Sequence, residues 1–212
     1  MVEQGYLGEL FFLSMDERRS YDYPDKYYDE QVRWLMLMDA VHFRWWTGRE
    51  PQRVFASLSK QPDQFARSEI LATLILEFGD QLLATYVGND ASYPQSQYHH
   101  MRLEGAASVI RAHFDDLFGP GALEYSAVGT EPVWFHPQLE GKAFPDSFSG
   151  LMDDLMHAIA TDNETTVSGA DHLKTLKVVF AAYESETNRH AVPIEDMTGN
   201  PGSGRQTTPQ SP

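Results

Sequence analysis

The strongest constraint on the fold is a run of strand-like alternation in the middle of the chain. From residue 70 to 78 apolar side chains recur at every second position, Gly79-Asp80 offers a tight turn, and residues 82–87 run back. Successive side chains of a strand point to opposite faces, so this pattern predicts a β-hairpin with one buried face. Further short strands are predicted at "GELFFLSM", "QRVFASLS", "HHMRLEG", "ASVIRAHF" and "ALEYSAV". Consecutive strands joined by turns favour a mainly antiparallel sheet.

Helical periodicity flanks these strands. Residues 29–46 are predicted to form an apolar helix ended by Gly48, and apolar side chains repeat at i, i+3 and i+4 from Phe148 to Ile159, which predicts an amphipathic helix. A third helix is predicted to begin at Ser168, before a short strand at "AVPI". Its expected buried stripe is Leu173, Leu176, Phe180 and Tyr183. The predicted fold class is α+β, an open, mainly antiparallel β-sheet with helices packed on one face.

Composition limits what this domain can be. The chain has 212 residues, 42% of them hydrophobic, which is enough for one sizeable core over residues 1–194. Residues 195–212 are rich in Pro, Gly, Ser and Thr and are predicted to be a disordered tail. The absence of cysteine excludes disulfides and thiolate chemistry.

Charge and hydropathy exclude some classes of binding partner and of cellular location. A net charge of −15 argues against nucleic acid and against an anionic membrane surface. No apolar run approaches the roughly 20 residues of a membrane span, and the first residues lack a signal-peptide pattern. We therefore expect a soluble, cytoplasmic protein.

Asp39 and His42 are the first candidates for chemistry. They lie three residues apart in the apolar stretch "LMLMDAVHFRWWTG", so a helix would place both on one face. A carboxylate beside an imidazole suits proton transfer, but it also suits a buried histidine held by its hydrogen-bond partner. Both interpretations remain open from the sequence.

Other aromatic and histidine residues are weaker candidates. Trp34, Trp45 and Trp46 are expected in the core, although a sugar can stack on a tryptophan that lines a cleft. His99 and His100 are expected on opposite faces of a strand, so no metal site with His113 is predicted.

Four segments, taken in order, resemble a known family. They are "VEQGYLGELFFLS", "RWWTGREPQRVFAS", "LEGAASVIR" and "TTVSGADHLKTLKVVFAAYESETNRHAVPI". Together they span roughly residues 2–194 and are similar to the C-terminal domain of the Gfo/Idh/MocA oxidoreductases. The resemblance implies an α+β domain that forms the substrate wall and the oligomer interface of an enzyme whose other half is a Rossmann domain.

The resemblance also implies site residues and a cofactor. Enzymes of the family commonly carry H-x-x-D in the helix before R-x-x-x-G. When Arg44 and Gly48 are aligned with that R-x-x-x-G, Met38 stands at the histidine position and Val41 at the aspartate position. The chain offers the reversed D-x-x-H instead, so Asp39 and His42 are the remaining catalytic candidates, with Arg44 and Trp46 as substrate contacts. NAD(P) is implied for a full-length relative. This chain alone is expected to bind no cofactor, since neither G-x-G-x-x-G nor the family's E-K-P segment occurs in it.

The function predicted from these features is the substrate-binding and oligomerisation half of an NAD(P)-dependent sugar or polyol oxidoreductase, truncated and inactive alone. The expected partners are a carbohydrate or polyol ligand and a second copy bound through the sheet face. One alternative is a non-catalytic scaffold that self-associates or pairs with a full-length relative. Another is a self-contained hydrolase or isomerase that uses Asp39 and His42 as a dyad.

Overall fold

The computed structural model describes residues 2, 4–20, 41–64, 69–79, 81–90, 96–115, 118–127, 133–142 and 144–194. Within these ranges the strands are β1 (Leu10–Arg18), β2 (Arg53–Ser59), β3 (Leu71–Glu77), β4 (Leu83–Asn89), β5 (Tyr98–Gly105), β6 (Ser108–Phe114), β7 (Ala122–Ala127) and β8 (Val192–Pro193). The helices are α1 (Val41–Thr47), α2 (Phe148–Thr161) and α3 (Gly169–Asn188). The predicted tail, residues 195–212, and most of the predicted helix 29–46 lie outside the described residues.

The strands form one sheet in the order β7-β6-β5-β1-β4-β3-β2-β8. Every neighbouring pair is antiparallel except β1 and β4, which run parallel at the centre. The predicted hairpins β3–β4 and β5–β6 are confirmed, as is the mainly antiparallel α+β fold class. The parallel pair arises because α1, β2 and β3 intervene between β1 and β4, so β4 reaches β1 from the other side.

The period-two pattern separates the two faces of the sheet. Ala72, Leu74 and Leu76 of β3 are almost fully buried, whereas Ile75 between them is 36% exposed. We call the side of Leu74 the inner face and the side of Ile75 the outer face. The inner face joins one core with Phe43 of α1 and with residues of α3. One face is therefore covered and the other is open, as the sequence predicted.

Helix α3 begins where the sequence placed it and closes one edge of the sheet. The Ser168 side chain accepts a hydrogen bond from the Asp171 backbone N–H at 3.2 Å, which caps the helix. Further along, Ser185 Oγ accepts from the N–H of Ala56 at 3.0 Å, and the Glu186 carboxylate accepts from that of Leu58 at 2.8 Å. β8 pairs only with the first two residues of β2, so these side chains satisfy edge donors beyond it.

The buried stripe of α3 differs from the predicted one. Leu173 is 61% exposed, and Leu176, Phe180 and Tyr183 are only half-buried. The residues that are buried are mostly smaller: Thr175, Val178, Val179, Ala181, Ala182 and Ser185. Small side chains allow the helix to lie close to β2, and the larger residues therefore flank the contact. The predicted stripe is wrong because the close contact with β2 accommodates small side chains rather than large apolar ones.

Helix α2 has the predicted amphipathic pattern, but its apolar side faces outward. Among its described residues only Ala158 is buried. The exposed apolar residues, between 40% and 73% exposed, are Phe148, Leu151, Met152, Leu155, Met156 and Ile159. We call this set the α2 stripe. A contiguous apolar surface of this kind usually marks a contact with another molecule.

Candidate functional site

Helix α1 carries three of the residues named from the sequence. The half-buried ring of His42 lies 5.6 Å from that of Trp46, which in turn packs edge-on against the buried Phe43 at 5.7 Å. Trp46 thus borders the core, as expected, but Trp45 is 69% exposed and the expectation of a core position for it was wrong. Asp39, Met38 and Trp34 lie outside the described residues, so the Asp39–His42 pair stays a prediction.

Arg44 is buried in a network of hydrogen bonds. Its guanidinium forms a two-pronged pair with Glu50, at 2.6 and 2.9 Å, and a further ion pair with Asp171 at 2.7 Å. It also donates to the hydroxyl of Thr175 at 2.6 Å, and that side chain is fully buried. The network joins α1, the first residues after it and the start of α3.

This network shifts the pKa values of the residues that form it. Hydrogen bonding to Arg44 holds the pKa values of the Glu50 and Asp171 carboxyls below their usual range, against the opposing effect of burial. In return, the hydrogen bond to Glu50 raises the pKa of Arg44. Each guanidinium nitrogen of Arg44 is already bonded within the chain, so this geometry gives the residue a structural role. Substrate contact by Arg44 remains an untested prediction.

A group of buried polar residues on the inner face was missed by the sequence analysis. Glu17, Arg19, Tyr86, Asp90 and His99 meet where β1 and β4 end and β5 begins. We call them the inner polar cluster. Glu17 is 2% exposed, His99 is 3% exposed and Tyr86 is fully buried. Charged groups this far from water require close partners, and such groups are concentrated at functional sites.

Glu17 is the centre of the inner polar cluster. Its carboxylate accepts a hydrogen bond from the Tyr86 hydroxyl at 3.1 Å, pairs with Arg19 at 3.2 Å and lies 2.9 Å from Nδ1 of His99. Arg19 also pairs with Asp90 at 2.8 Å. Burial raises the pKa of the Asp90 carboxyl, and the Arg19 charge opposes that rise. Two carboxylates therefore share one guanidinium.

Strand parity is the signal that could have identified the inner polar cluster. Glu17 lies two and four residues after Met15 and Leu13 on the inner face, within a run "MDERR" that the sequence shows only as mixed charge. His99 stands opposite Glu17 in the β1–β5 register. Pairing of β1 with both β4 and β5 brings the members together, and those contacts join residues about 70 to 80 positions apart.

Of the histidines considered for metal binding, His99 and His100 lie on opposite faces of the sheet, as expected. His99 points to the inner face, whereas His100 is exposed on the outer face and stands opposite His113 with ring centroids 5.8 Å apart. Within the described ranges, no group of three His, Cys, Asp or Glu residues is arranged to hold a metal ion. In the same part of the chain, no helix has the length and apolarity needed to span a membrane.

The chain is similar in structure to several solved oxidoreductases. An aldose-aldose oxidoreductase from Caulobacter crescentus, complexed with glycerol, matches 91% of this chain with a TM-score of 0.73 and 22% identity. Levoglucosan dehydrogenase in complex with NADH and levoglucosan matches 92%, with a TM-score of 0.76 and 12% identity. A putative myo-inositol dehydrogenase from Sinorhizobium meliloti matches 91%, with a TM-score of 0.70 and 18% identity.

The match is unequal in length. This chain covers 58%, 62% and 59% of those three proteins, respectively. The sequence matches no protein-family model and no curated protein. The similarity therefore rests on the fold alone. The shared fold includes about nine tenths of this chain and about three fifths of each solved protein. The chain has the fold of the α+β C-terminal domain of the Gfo/Idh/MocA-type oxidoreductases, which confirms the resemblance that its sequence motifs indicated.

Proposed function

We propose that this chain is the substrate-binding and oligomerisation half of an NAD(P)-dependent sugar or polyol oxidoreductase, acting in the cytoplasm and inactive without a nucleotide-binding half. The observation that carries the proposal is the unequal structural match: about nine tenths of this chain, but only about three fifths of the solved oxidoreductases. The buried inner polar cluster supports a role in binding, because it supplies polar groups that a hydroxylated ligand requires.

The ligand class is inferred from the solved neighbours. Two of them are described as complexes with levoglucosan or L-sorbose together with NADH, and a third as a complex with glycerol. These three ligands share several hydroxyl groups and no charge, whereas a further solved neighbour is described as a complex with L-tartaric acid, which is also polyhydroxylated. We therefore propose a neutral sugar or polyol as the ligand of this chain.

The residues present do not fit a dinucleotide. The sequence has no G-x-G-x-x-G segment, which is the loop that receives the pyrophosphate at the start of a helix in Rossmann domains. The chain therefore supplies no recognisable phosphate site of that type.

The first prediction tests the ligand and the cofactor that this proposal assigns. Saturation-transfer difference NMR on the purified chain is expected to show saturable, millimolar binding of levoglucosan or myo-inositol, because weak binding is typical of small neutral ligands with few contacts. Dioxane, which has ether oxygens but no hydroxyl, serves as the control and should give no saturable signal. NADH fluorescence should remain unchanged on titration. Sugar binding that fails to appear, or micromolar NADH binding, contradicts the proposal.

Self-association through the outer face is the second part of the proposal. Phe55 and Ile75 stand opposite each other on β2 and β3, and they are 37% and 36% exposed beside Leu83 at 38%. Half-exposed apolar residues in one patch of an open sheet support a symmetric contact between two copies. We expect a dimer or larger assembly of the 24.0 kDa chain.

Light scattering coupled to size exclusion tests this second prediction. The double variant Phe55→Lys and Ile75→Lys should give a monomer, because two cations on each copy would face each other across a two-fold contact. The matched control is Met156→Lys and Ile159→Lys in the α2 stripe, which should keep the assembly intact. Dissociation by the control variant instead would place the contact on α2, and a monomeric wild-type chain would contradict self-association altogether.

A non-catalytic scaffold or binding protein is the second candidate function. The α2 stripe favours it, because six apolar residues of one helix are at least 40% exposed in the described structure. This alternative predicts association with a protein partner and no sugar binding. The NMR experiment therefore separates it from the first proposal.

A further inference from the structure

The Glu17–His99 contact favours the imidazole tautomer in which Nδ1 carries the hydrogen. The Glu17 carboxylate accepts a hydrogen bond from the Tyr86 hydroxyl and pairs with the Arg19 guanidinium, and it also contacts the His99 ring. This set of partners is typical of an ionised carboxylate, which can only accept hydrogen bonds. With an ionised Glu17, Nδ1 of His99 is the donor in the 2.9 Å contact. In the neutral ring this leaves Nε2 as a hydrogen-bond acceptor.

Nε2 of His99 has no hydrogen-bond partner within the described part of the chain. The contacts of this residue are the Nδ1 pairing with Glu17 and stacking on Phe114, with ring centroids 4.3 Å apart. The described buried side-chain atoms that lack a partner are Glu69 Oε2 and Arg111 Nε, so Nε2 is not sealed away from solvent. An imidazole that is held on two sides and open at Nε2 is oriented to receive a ligand.

We propose that the inner polar cluster is a hydroxyl-binding site, in which Nε2 of His99 accepts a hydrogen bond from a ligand hydroxyl and Glu17 orients the ring. The inference rests on the proposed function and deepens it by placing the ligand at these residues. Arg19 and Asp90, with side chains 12% and 15% exposed, belong to the same cluster.

The charges of the cluster favour a neutral ligand. Glu17 and Asp90 place two carboxylates, and therefore negative charge, in this buried cluster. An anionic ligand would meet that charge at a site with little solvent to screen it. The site should therefore prefer a polyol or aldose to the corresponding sugar acid.

Long-range proton–nitrogen NMR spectra of the histidine rings test the proposal on the wild-type chain. The probes are levoglucosan, myo-inositol and gluconate. We expect the Nε2 resonance of His99 to move in a saturable manner with a neutral probe and to move at least several-fold less with gluconate. The variants His99→Gln and His100→Gln assign the two signals, and His100 on the outer face should not respond.

The same variants measure the contribution of the ring to binding. Loss of one hydrogen bond predicts about tenfold weaker binding for His99→Gln and unchanged binding for His100→Gln. Glu17→Gln, which keeps the side-chain shape, should weaken binding and change the proton distribution between Nδ1 and Nε2. Binding without a shift at His99 overturns this inference and leaves the proposed function standing, whereas no binding of either neutral probe overturns both.

Discussion

Replacing Glu17 by alanine is expected to lower the free energy of unfolding by about 3–5 kcal/mol. The carboxylate is 2% exposed and is the shared partner of Tyr86, Arg19 and His99. Its removal leaves a buried hydroxyl and a buried imidazole without this acceptor, while Arg19 keeps its pair with Asp90. Urea denaturation followed by circular dichroism measures the change.

Asp16→Ala is the matched control for this prediction. Asp16 is the preceding residue, points to the outer face with a side chain 41% exposed, and pairs with Arg18 there. An exposed pair contributes little, so a loss within about 1 kcal/mol is expected. Equal losses for the two variants would show that the inner polar cluster is not the stabilising feature described here.

Replacing Arg44 by alanine is expected to lower the free energy of unfolding by about 2–4 kcal/mol, somewhat less than the roughly 3–5 kcal/mol for breaking a fully buried ion pair. The guanidinium is buried, but Glu50 and Asp171 keep 51% and 32% of their side chains exposed and can be rehydrated. Thr175 is fully buried and would lose its bonding partner. Arg53→Ala, which removes a guanidinium that is 52% exposed and paired with Glu77, should change stability by less than about 1 kcal/mol.

The Arg44 network also makes stability depend on pH. The pKa values of Glu50 and Asp171 are lowered in the folded protein, so their contribution is fully present above the unfolded values and is lost as the pH falls through the folded ones. Arg44→Ala removes that contribution. Its unfolding free energy should therefore fall less steeply than that of the wild type below about pH 4. Parallel curves for the two proteins would contradict this cause.

The sheet could be predicted from the sequence because its signal is local. The alternation in β3 and the turn after it are contained within about twenty residues, and the structure pairs β3 with β4 accordingly. The helix starting at Ser168 was likewise predictable from its capping residue. By contrast, the buried side of α3 depends on how closely the helix approaches β2, which residue size alone does not determine.

The candidate site was harder to predict because its contacts are distant in sequence. Glu17 and His99 are 82 positions apart, and only the order of β4, β1 and β5 in the sheet brings them together. The residues named from the sequence were close neighbours on one helix instead. Of these, Arg44 is engaged in structural ion pairs, Trp46 borders the core, and Asp39 lies outside the described residues.

The α2 stripe shows a second property that the sequence does not predict, which is the surface that covers the apolar side of a helix. Its periodicity correctly predicted a helix, yet periodicity does not state which molecule covers the apolar side. In this chain that side remains exposed.

Mapping levoglucosan binding on the backbone amides tests the central claim most directly, namely that the inner face of this domain forms a sugar- or polyol-binding wall. The titration of the isotope-labelled chain should produce saturable shifts grouped at residues 16–19, 86–90 and 98–101, around the inner polar cluster. The amide resonances of β2 and β8, the two strands at one edge of the sheet, should not shift. Shifts confined to the outer face or to α2, or no saturable shift at all, would contradict the account.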